Sequence, residues 1–356
     1  MLSTCEICKS EMKVYYNLTP FDSAPLDHSK VYRCLNCGSC ITIPRNTLKL
    51  LESFYSDEYF CSDPAYNLKR SKMFASDYFR KLKKFFQMNY ASSFLELGGG
   101  YGFFSHLVSG YWKIKVDMIE LSRQGVSHAN KNFKNVNVIE KSFDSSVANL
   151  EKQFDVVSSA HLLEHLVSPK LYFDYASKIV KDNGHILLLT PNANSLKYRI
   201  FRKYWGWACP HEHINFLSPK AVRLLAKEYG FEVDILKSTV PHFMHYPSVI
   251  NSTFEIVNSM PHIIWTAVNS KILRRSQDVK KAISDRTNFG SAYQKSIATI
   301  LKSLTLKVLH SFYNNKVLRV FSTVEYILLF PINLGLAKIG CADELLVVAK
   351  KGKSLE

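Results

Sequence analysis

The stretch that decides the fold is Phe94–Val108, FLELGGGYGFFSHLV. Apolar residues and one acid, Glu96, lead into the glycine-rich run Gly98–Gly102, after which apolar positions resume at helical spacing. This pattern predicts a strand, a glycine turn and a helix, the first unit of an open α/β sheet whose ligand lies beyond the carboxyl ends of the strands. Glycines let the backbone turn tightly and approach a ligand closely, because a Cβ would collide with it.

The spacing of the glycines separates two kinds of cofactor. A nicotinamide fingerprint requires G-x-G-x-x-G, and neither Gly98 nor Gly100 begins such a pattern. The pattern that fits is acid-x-G-x-G-x-G, and it resembles the nucleoside-binding loop of class I S-adenosylmethionine (SAM) methyltransferases. An ordinary glycine-rich turn is the alternative. The resemblance implies four residues that position SAM: Glu96, Gly98, Gly100 and Gly102.

The composition of the chain excludes some classes of protein. The chain has 356 residues, 47% of them hydrophobic, which is ample for a packed core and argues against disorder. The amino terminus has no apolar run after its charges, so no secretory signal is visible. The formal net charge of +16 favours polyanions or anionic membrane surfaces as partners, although a solvated basic face explains it equally well.

The cysteines near the amino terminus indicate a metal site. Cys5-x-x-Cys8 and Cys34-x-x-Cys37 form two CxxC pairs, and two such turns complete a tetrahedral Cys₄ zinc site. A site with four protein ligands is closed, so the zinc is expected to be structural. We take Cys40 as a packed residue beside the second pair. Redox cysteines are the alternative, and both interpretations favour a reducing compartment.

The amino-terminal region also resembles a group of bacterial class I methyltransferases in which a zinc ribbon precedes the catalytic domain. In that group a second CxxCG is followed by an apolar strand, a proline and a Tyr-rich helix. Deoxysugar C-methyltransferases and many enzymes of surface-polysaccharide pathways have this arrangement. The matching residues are Cys34, Cys37, Gly38, Pro44, Tyr55 and Tyr59.

Two acids are candidates for contacts with the nucleoside. The predicted second strand, Ile114–Ile119, ends at Glu120, and an acid there can accept hydrogen bonds from both ribose hydroxyls. Asp117 is the competitor, but it lies inside the apolar run and is expected to point elsewhere. By resemblance, the turn after the third predicted strand, Val136–Ile139, holds the adenine through Phe143 and Asp144, with Glu140 as a nearby alternative.

A fourth strand is predicted from Phe154, and a fifth over His185–Leu189 after a turn at 181–184. The sequence SSAHLLEHLVSP follows the fourth strand and resembles ubiquinone-type O-methyltransferases. The resemblance places His161 at the carboxyl end of the strand, facing the sulfonium and the acceptor. Glu164 and His165 are expected to begin the next helix.

A second histidine lies in a loop that also matches the family. The stretch from Cys209 to Pro219, CPHEHINFLSP, precedes an amphipathic helix and a Gly-Phe turn. His213 fits the family position, and His211 is a weaker candidate. A histidine in such a loop can be a general base because its pKa lies near neutrality, so the candidate catalytic residues are His161 and His213. A loop histidine more commonly bonds only to backbone or water.

The family pattern fades after about Val240 and returns in a last strand near Asp343. The pattern of the residues between these two points predicts mostly helix, including an apolar stripe from Ile297 to Phe312. We expect a lid over the active site, with a basic amphipathic surface on a membrane as the alternative. A membrane-spanning helix is not expected, because charges and Pro331 interrupt the most apolar run.

The sequence therefore predicts an α/β protein: a Rossmann-like class I methyltransferase sheet with an amino-terminal zinc ribbon and a helical insertion before the last strand. The expected divisions are a zinc ribbon at 1–45, a SAM-dependent methyltransferase core at 46–240, a mostly helical insertion or lid at 241–339, and the last core strand and tail at 340–356. The expected cofactors are SAM and structural Zn²⁺.

The expected function is SAM-dependent methyl transfer to a small molecule, at a hydroxyl or carbon of a sugar or glycan intermediate. The first alternative is an RNA methyltransferase, although no Asn-Pro-Pro-Tyr-type tetrapeptide follows the fourth strand; DNA is not an expected partner. The second is a non-catalytic SAM-binding or interaction protein. We expect a cytoplasmic protein, with weak peripheral association with the anionic inner face of the membrane as the further option.

Overall fold

The computed structural model describes residues 4–18, 29–43, 64–142, 153–208, 213–241 and 331–353. All of them belong to one compact unit, residues 1–247 and 331–356. The second unit, residues 248–330, lies outside the described residues, and so does the apolar stripe from Ile297 to Phe312.

The elements alternate along the chain as the glycine stretch predicts. The first are β1 (Met12–Asn17), β2 (Lys30–Cys34), β3 (Cys40–Ile43), α1 (Pro64–Lys81) and α2 (Lys83–Met88). The central ones are β4 (Phe94–Leu97), α3 (Phe103–Trp112), β5 (Val116–Glu120), α4 (Arg123–Asn132), β6 (Val136–Glu140), β7 (Phe154–Ala160), α5 (Pro169–Ile179) and β8 (Val180–Pro191). The last are α6 (Leu196–Phe201), β9 (Asn215–Phe216), α7 (Pro219–Glu228), β10 (Phe231–Thr239), a helical segment over 331–338, and β11 (Glu344–Lys351).

The main sheet has seven strands in the order β10-β11-β8-β7-β4-β5-β6. Strands β6, β5, β4, β7 and β8 are parallel, and β11 runs antiparallel to both of its neighbours. After β4 the chain adds strands on one side, and from β7 it adds them on the other. This reversal is a topological switch point, where ligands bind outside the carboxyl ends of the strands. The Rossmann-like fold predicted from the sequence is confirmed.

The sheet is buried on both faces. Four consecutive residues of β8, Ile186 to Leu189, have no exposed surface. Ile186 and Leu188 belong to one hydrophobic cluster, and Leu187 and Leu189 to another. Because successive strand residues point to opposite faces, an uninterrupted apolar run is what a strand covered on both sides requires.

The amino-terminal strands are joined to the methyltransferase part by a shared sheet. Its order is β1-β2-β3-β9, so the fourth strand comes from the segment that follows His213. Ile41 pairs with Asn215, and the Thr42 amide donates to the Ile214 carbonyl at 2.9 Å. The predicted ribbon is therefore continuous with the region that carries one of the candidate catalytic histidines.

Two local expectations need correction. Glu164 and His165 do not begin a helix but lie in a 3-10 turn, Leu163–His165. The helix, α5, starts at Pro169 because Ser168 caps it, its hydroxyl accepting from the Lys170 amide at 3.3 Å. The predicted turn at 181–184 lies inside β8, where it forms a bulge and Asn183 adopts a φ of +62°.

No helix in the described part of the chain is both long enough and apolar enough to cross a membrane.

Candidate active site and cysteine cluster

The glycine turn between β4 and α3 has the backbone that its sequence predicts. Gly98, Gly100 and Gly102 have φ angles of +72°, +55° and +81°, a region that other residues rarely adopt. A Cβ built on Gly100 would meet no atom of the described residues within 4 Å. Among these residues the turn therefore faces open space at the switch point of the sheet, which leaves room for a ligand.

Glu120, which the sequence predicts to bind ribose, lies against this turn. One carboxylate oxygen accepts from the Gly100 amide at 2.7 Å, and the other accepts from the amides of Leu121 and Ser122 at 2.9 and 2.7 Å. Burial raises the pKa of Glu120, and these three amides oppose the rise. A carboxylate offers about four lone-pair sites, so one site remains for a ribose hydroxyl at the mouth of the turn.

Glu96 contacts the helix that follows the glycine turn. It is 5% exposed, and its carboxylate accepts from both the amide and the hydroxyl of Ser105 in the first turn of α3. Burial raises the pKa of Glu96 to about 8, with the bonds from Ser105 acting in the opposite direction. Glu96 thus fixes the helix that follows the turn, and its predicted role in positioning the cofactor is indirect.

A further glycine supports the turn, and the sequence reasoning missed it. A Cβ on Gly125, in the first turn of α4, would lie 2.5 Å from the carbonyl oxygen of Gly100. Since a contact under 3.0 Å forces something to shift, only glycine lets α4 approach the turn this closely. Its signal in the sequence is weak, because nothing but a glycine in a predicted helix marks it.

The remaining nucleoside candidates divide into two groups. Asp117 accepts from the side-chain amide of Asn137 at 2.8 Å, so it points away from the turn, as expected. Phe143 and Asp144, together with His211, lie outside the described residues, and their roles stay predictions.

His161 follows the carboxyl end of β7, where its φ of +53° turns the chain sharply. Its Nδ1 lies 2.8 Å from Glu164 Oε1, and its Nε2 lies 3.3 Å from Glu344 Oε1. Despite the opposing effect of burial, these carboxylates raise the pKa of His161 to about 9. At neutral pH the ring is therefore an imidazolium with both nitrogens donating, an arrangement that does not favour the predicted role as a base.

The two carboxylates beside His161 are fully buried. Against the effect of burial, the nearby imidazoles lower the pKa of Glu164 to about 2, with His161 contributing most. Lys81 similarly lowers the pKa of Glu344. The Lys81 ammonium lies 2.8 Å from Glu344 Oε2 and 2.9 Å from Asp77. Charged groups of alternating sign thus run from α1 to the 3-10 turn.

His213, the second candidate base, is 6% exposed and lies beside the same turn. Its Nδ1 bonds to the carbonyl oxygen of Trp207 at 2.5 Å, which makes Nδ1 the protonated nitrogen. One side-chain nitrogen or oxygen from each of Glu164, His165 and His213 lies within 4.8 Å of those of the other two. The structure therefore brings His213 to the carboxylate that binds His161, although the two histidines are far apart in sequence.

Aromatic rings enclose the imidazole of His161. Trp207 stacks on it with centroids 4.6 Å apart at 16°, and Phe74 of α1 lies 5.3 Å away, tilted by 58°. The segment that carries Trp207 is fixed by Asp343, which accepts from the Trp205 indole at 3.1 Å and pairs with Lys197 at 3.0 Å. The adjacent acids Asp343 and Glu344 thus secure this segment and His161 respectively.

The four predicted metal ligands lie together. The sulfurs of Cys5, Cys8, Cys34 and Cys37 are all within 4.8 Å of one another, with Cys5–Cys37 at 3.7 Å and Cys8–Cys34 at 3.3 Å. A Zn–S distance of about 2.3 Å places tetrahedral sulfurs about 3.8 Å apart, so the cluster fits a zinc ion. Cys40 is buried outside it and accepts from Arg33 at 3.8 Å.

The comparisons with known proteins agree with this geometry. Residues 69–235 match a family model described as "Methyltransferase domain". The chain is 32% identical over 117 residues to the mitochondrial ubiquinone biosynthesis O-methyltransferase of Dictyostelium discoideum, a match that covers 29% of this chain and 36% of the relative. It is 26% identical over 152 residues to the ubiquinone biosynthesis O-methyltransferase of Thiobacillus denitrificans, covering 40% of this chain and 65% of the relative.

Both matches cover only part of each protein. The chain spans less than two thirds of the length of both curated relatives. Among solved structures, an S-adenosylmethionine dependent methyltransferase from Mesorhizobium loti is 11% identical and covers 74% of this chain and 92% of its own, with a TM-score of 0.39. The family match identifies residues 69–235 as a methyltransferase domain, and with the fold and the two relatives it supports a class I SAM-dependent methyltransferase.

Proposed function

We propose that the protein transfers the methyl group of SAM to a hydroxyl of a small-molecule acceptor. The observation that carries the proposal is the Glu120 carboxylate bonded to the Gly100 amide at the switch point of the sheet. The open space in front of Gly100 provides room for the nucleoside. When bound, SAM supplies a methyl group that its positive sulfur already activates.

The protein's part is to position the acceptor and to remove its proton. Glu120 binds a ribose hydroxyl, and the glycine turn lets the backbone approach the nucleoside. His161 and His213 lie around Glu164, on the acceptor side of the site. Orienting the acceptor makes the transfer effectively unimolecular, and a neutral imidazole removes the hydroxyl proton. With its Nδ1 proton bonded to Trp207, His213 is the better candidate base of the two.

The acceptor we favour is a sugar or glycan intermediate. Its support is the amino-terminal CxxCG pattern, which resembles the ribbon of surface-polysaccharide methyltransferases. A phenolic acceptor is the second candidate, supported by the two relatives that are ubiquinone biosynthesis O-methyltransferases. Phe74 and Trp207 beside His161 offer apolar ring faces to either kind of acceptor.

The location and partners are part of the same proposal. We place the protein in the cytoplasm, where its cysteines can bind zinc in the reduced state. The basic charge of +16 supports weak contact with the anionic inner face of a membrane. DNA is not an expected partner. Co-sedimentation with anionic liposomes, neutral liposomes and tRNA side by side tests these expectations, and tight tRNA binding at physiological salt would overturn the small-molecule proposal.

The activity is tested by transfer of labelled methyl groups from SAM to three acceptor pools: nucleotide-linked sugars, catechols and tRNA. We expect label in one of the first two pools, which would also decide between the two acceptor classes. The Glu120→Ala variant should weaken SAM binding and transfer together, whereas Asp117→Ala should retain both. Calorimetry that detects NAD binding but no SAM binding would overturn the proposal.

A further inference from the structure

Five buried or nearly buried charges form a continuous line behind the acceptor side of the site. It runs from Asp77 to Lys81, Glu344, His161 and Glu164, with each neighbouring pair within 3.3 Å. We propose that Glu344, held by Lys81, is a positioning residue that keeps His161 as an imidazolium donating from both nitrogens, and that the base is consequently His213. The catalytic consequence rests on the proposed methyl transfer.

The hydrogen bonds at His161 leave its ring no second orientation. Glu164 occupies Nδ1 and Glu344 occupies Nε2, and the two carboxylates come from different elements, the 3-10 turn and β11. The His161 amide also donates to the Leu189 carbonyl at 2.8 Å. A left-handed φ at a residue other than glycine persists only where its surroundings determine it fully, and here three hydrogen bonds do so.

Lys81 explains why Glu344 can stay ionised at this depth. An unpaired buried carboxylate would take up a proton rather than keep its charge, and a protonated Glu344 would no longer favour the imidazolium. The ammonium of Lys81 binds the second oxygen of Glu344, and Asp77 binds Lys81 in turn. The line therefore holds three negative and two positive groups and ends at Glu164.

The ring of His161 in turn holds Trp207. A charged imidazole stacked on an indole is an attractive cation–π pair, and the centroids are 4.6 Å apart. The carbonyl of Trp207 accepts the Nδ1 proton of His213. Fixing His161 thus fixes the residue that sets the tautomer and orientation of His213, so Glu344 acts on the base through two intermediate residues.

In the described part of the chain, the charged groups recorded against His161 belong to this arrangement. Glu164 comes from the 3-10 turn, with His165 and His213 behind it, and Glu344 comes from β11, with Lys81 and Asp77 of α1 behind it. Phe74 and Trp207, which also contact the His161 ring, are uncharged aromatics. The protonation of His161 should therefore respond to Glu344 in a predictable direction.

The test is a ring-labelled histidine NMR titration of the whole protein between pH 6 and 10, with the His161 signal assigned from His161→Gln. We expect His161 to titrate with a midpoint near pH 9. In Glu344→Gln the proton affinity of His161 should fall by at least about tenfold, because one adjacent opposite charge is lost. A wild-type midpoint near pH 6.5, or an unchanged midpoint in Glu344→Gln, would overturn the proposal.

A matched control and a second variant sharpen the result. Asp234 lies 3.8 Å from His185 at another part of the sheet, so Asp234→Asn should leave the His161 midpoint unchanged. Lys81→Gln removes the cation that keeps Glu344 ionised, so it should lower the His161 midpoint as Glu344→Gln does, and an unchanged or raised midpoint in that variant contradicts the proposal. If Glu344→Gln does not fold, the His161 midpoints of the wild type and of Lys81→Gln still test the proposal.

Kinetics then separate this inference from the proposed function. In Glu344→Gln, kcat should fall and acquire a new dependence on pH near neutrality, while KM for SAM stays unchanged because Glu120 is untouched. A kcat profile identical to that of the wild type would contradict the positioning role. If no acceptor is methylated at all, the proposed function fails, but the NMR titration still tests the state of His161.

Discussion

The glycine turn and the His161 site lie at the same edge of one sheet, but the chain builds them in different ways. The two bonds that organise the turn, Ser105 to Glu96 and Gly100 to Glu120, join residues 9 and 20 positions apart. The bonds that Glu344 makes to His161 and Lys81 span 183 and 263 positions. The cofactor side is a local structure, whereas the acceptor side exists only when distant segments have come together.

The largest expected effect tests how far the long-range assembly extends. Cys37→Ser should lose the zinc, whose binding free energy in small zinc domains is on the order of 10 kcal/mol. Because β3 pairs with β9 and the Ser218 hydroxyl donates to the Cys37 carbonyl, the loss should also lower the unfolding temperature of the methyltransferase part. Elemental analysis and calorimetry measure the two effects.

The control for the metal is Cys40→Ser, which should retain one zinc per chain because Cys40 lies outside the cluster. If Cys37→Ser loses its zinc but keeps the unfolding temperature of the wild type, the ribbon is an independent module, and the comparison between local and long-range construction weakens.

The next effect concerns the cofactor side. Glu120→Ala should weaken SAM binding by about 1.5–3 kcal/mol, the usual worth of a hydrogen bond to a charged group. Titration calorimetry measures the change, with Asp117→Ala as the matched acid that bonds to Asn137 instead. Equal losses in both variants would mean that the charge of the strand, and not the contact at the turn, determines binding.

Two glycines in neighbouring helices offer a smaller and sharper comparison. Gly125→Ala should weaken SAM binding by about 1–3 kcal/mol, because its Cβ would press on the Gly100 carbonyl. Gly110→Ala meets open space inside α3 and should instead stabilise the protein by about 1 kcal/mol. SAM titration and thermal unfolding of both variants check the opposite signs, and normal SAM affinity in Gly125→Ala would contradict the close approach of α4.

The last prediction concerns the dependence of stability on pH at Glu96. Its folded pKa of about 8 lies above the ordinary value of 4.5, so its contribution to stability is full below pH 4.5 and declines as the pH rises to about 8. Glu96→Gln should remove that decline. Chemical denaturation at pH 5 and pH 8 measures it, with Glu140→Gln, an exposed acid, as a control that keeps the wild-type slope.

The local structure could be predicted from the sequence because its signals lie close together. The acid and glycine spacing led to Glu120 and to the fold, and the paired cysteines led to a cluster that the structure also assembles. No such signal marks Lys81 or Glu344, since a lysine in a helix and an acid at the start of a strand are ordinary. Gly125 was missed because its importance depends on α4 packing against a carbonyl that is distant in sequence.

The two candidate bases, His161 and His213, also have properties that the sequence could not predict. A histidine in a loop suggests a base, but the protonation of His161 depends on Glu344, which sequence spacing cannot place beside it. The 3-10 turn at Glu164 was likewise read as a helix, because local propensity does not reveal that Ser168 starts the helix later.

The shared strand β9 also has a consequence for synthesis on the ribosome. The first three ribbon strands are translated about 170 residues before Asn215 and Phe216 complete their sheet. Until then the nascent chain presents β3 as an uncovered edge, which is a template for unwanted pairing with other chains. Early zinc binding would close the cysteine knuckles but not that edge, so the ribbon must wait for the rest of the domain before it is protected.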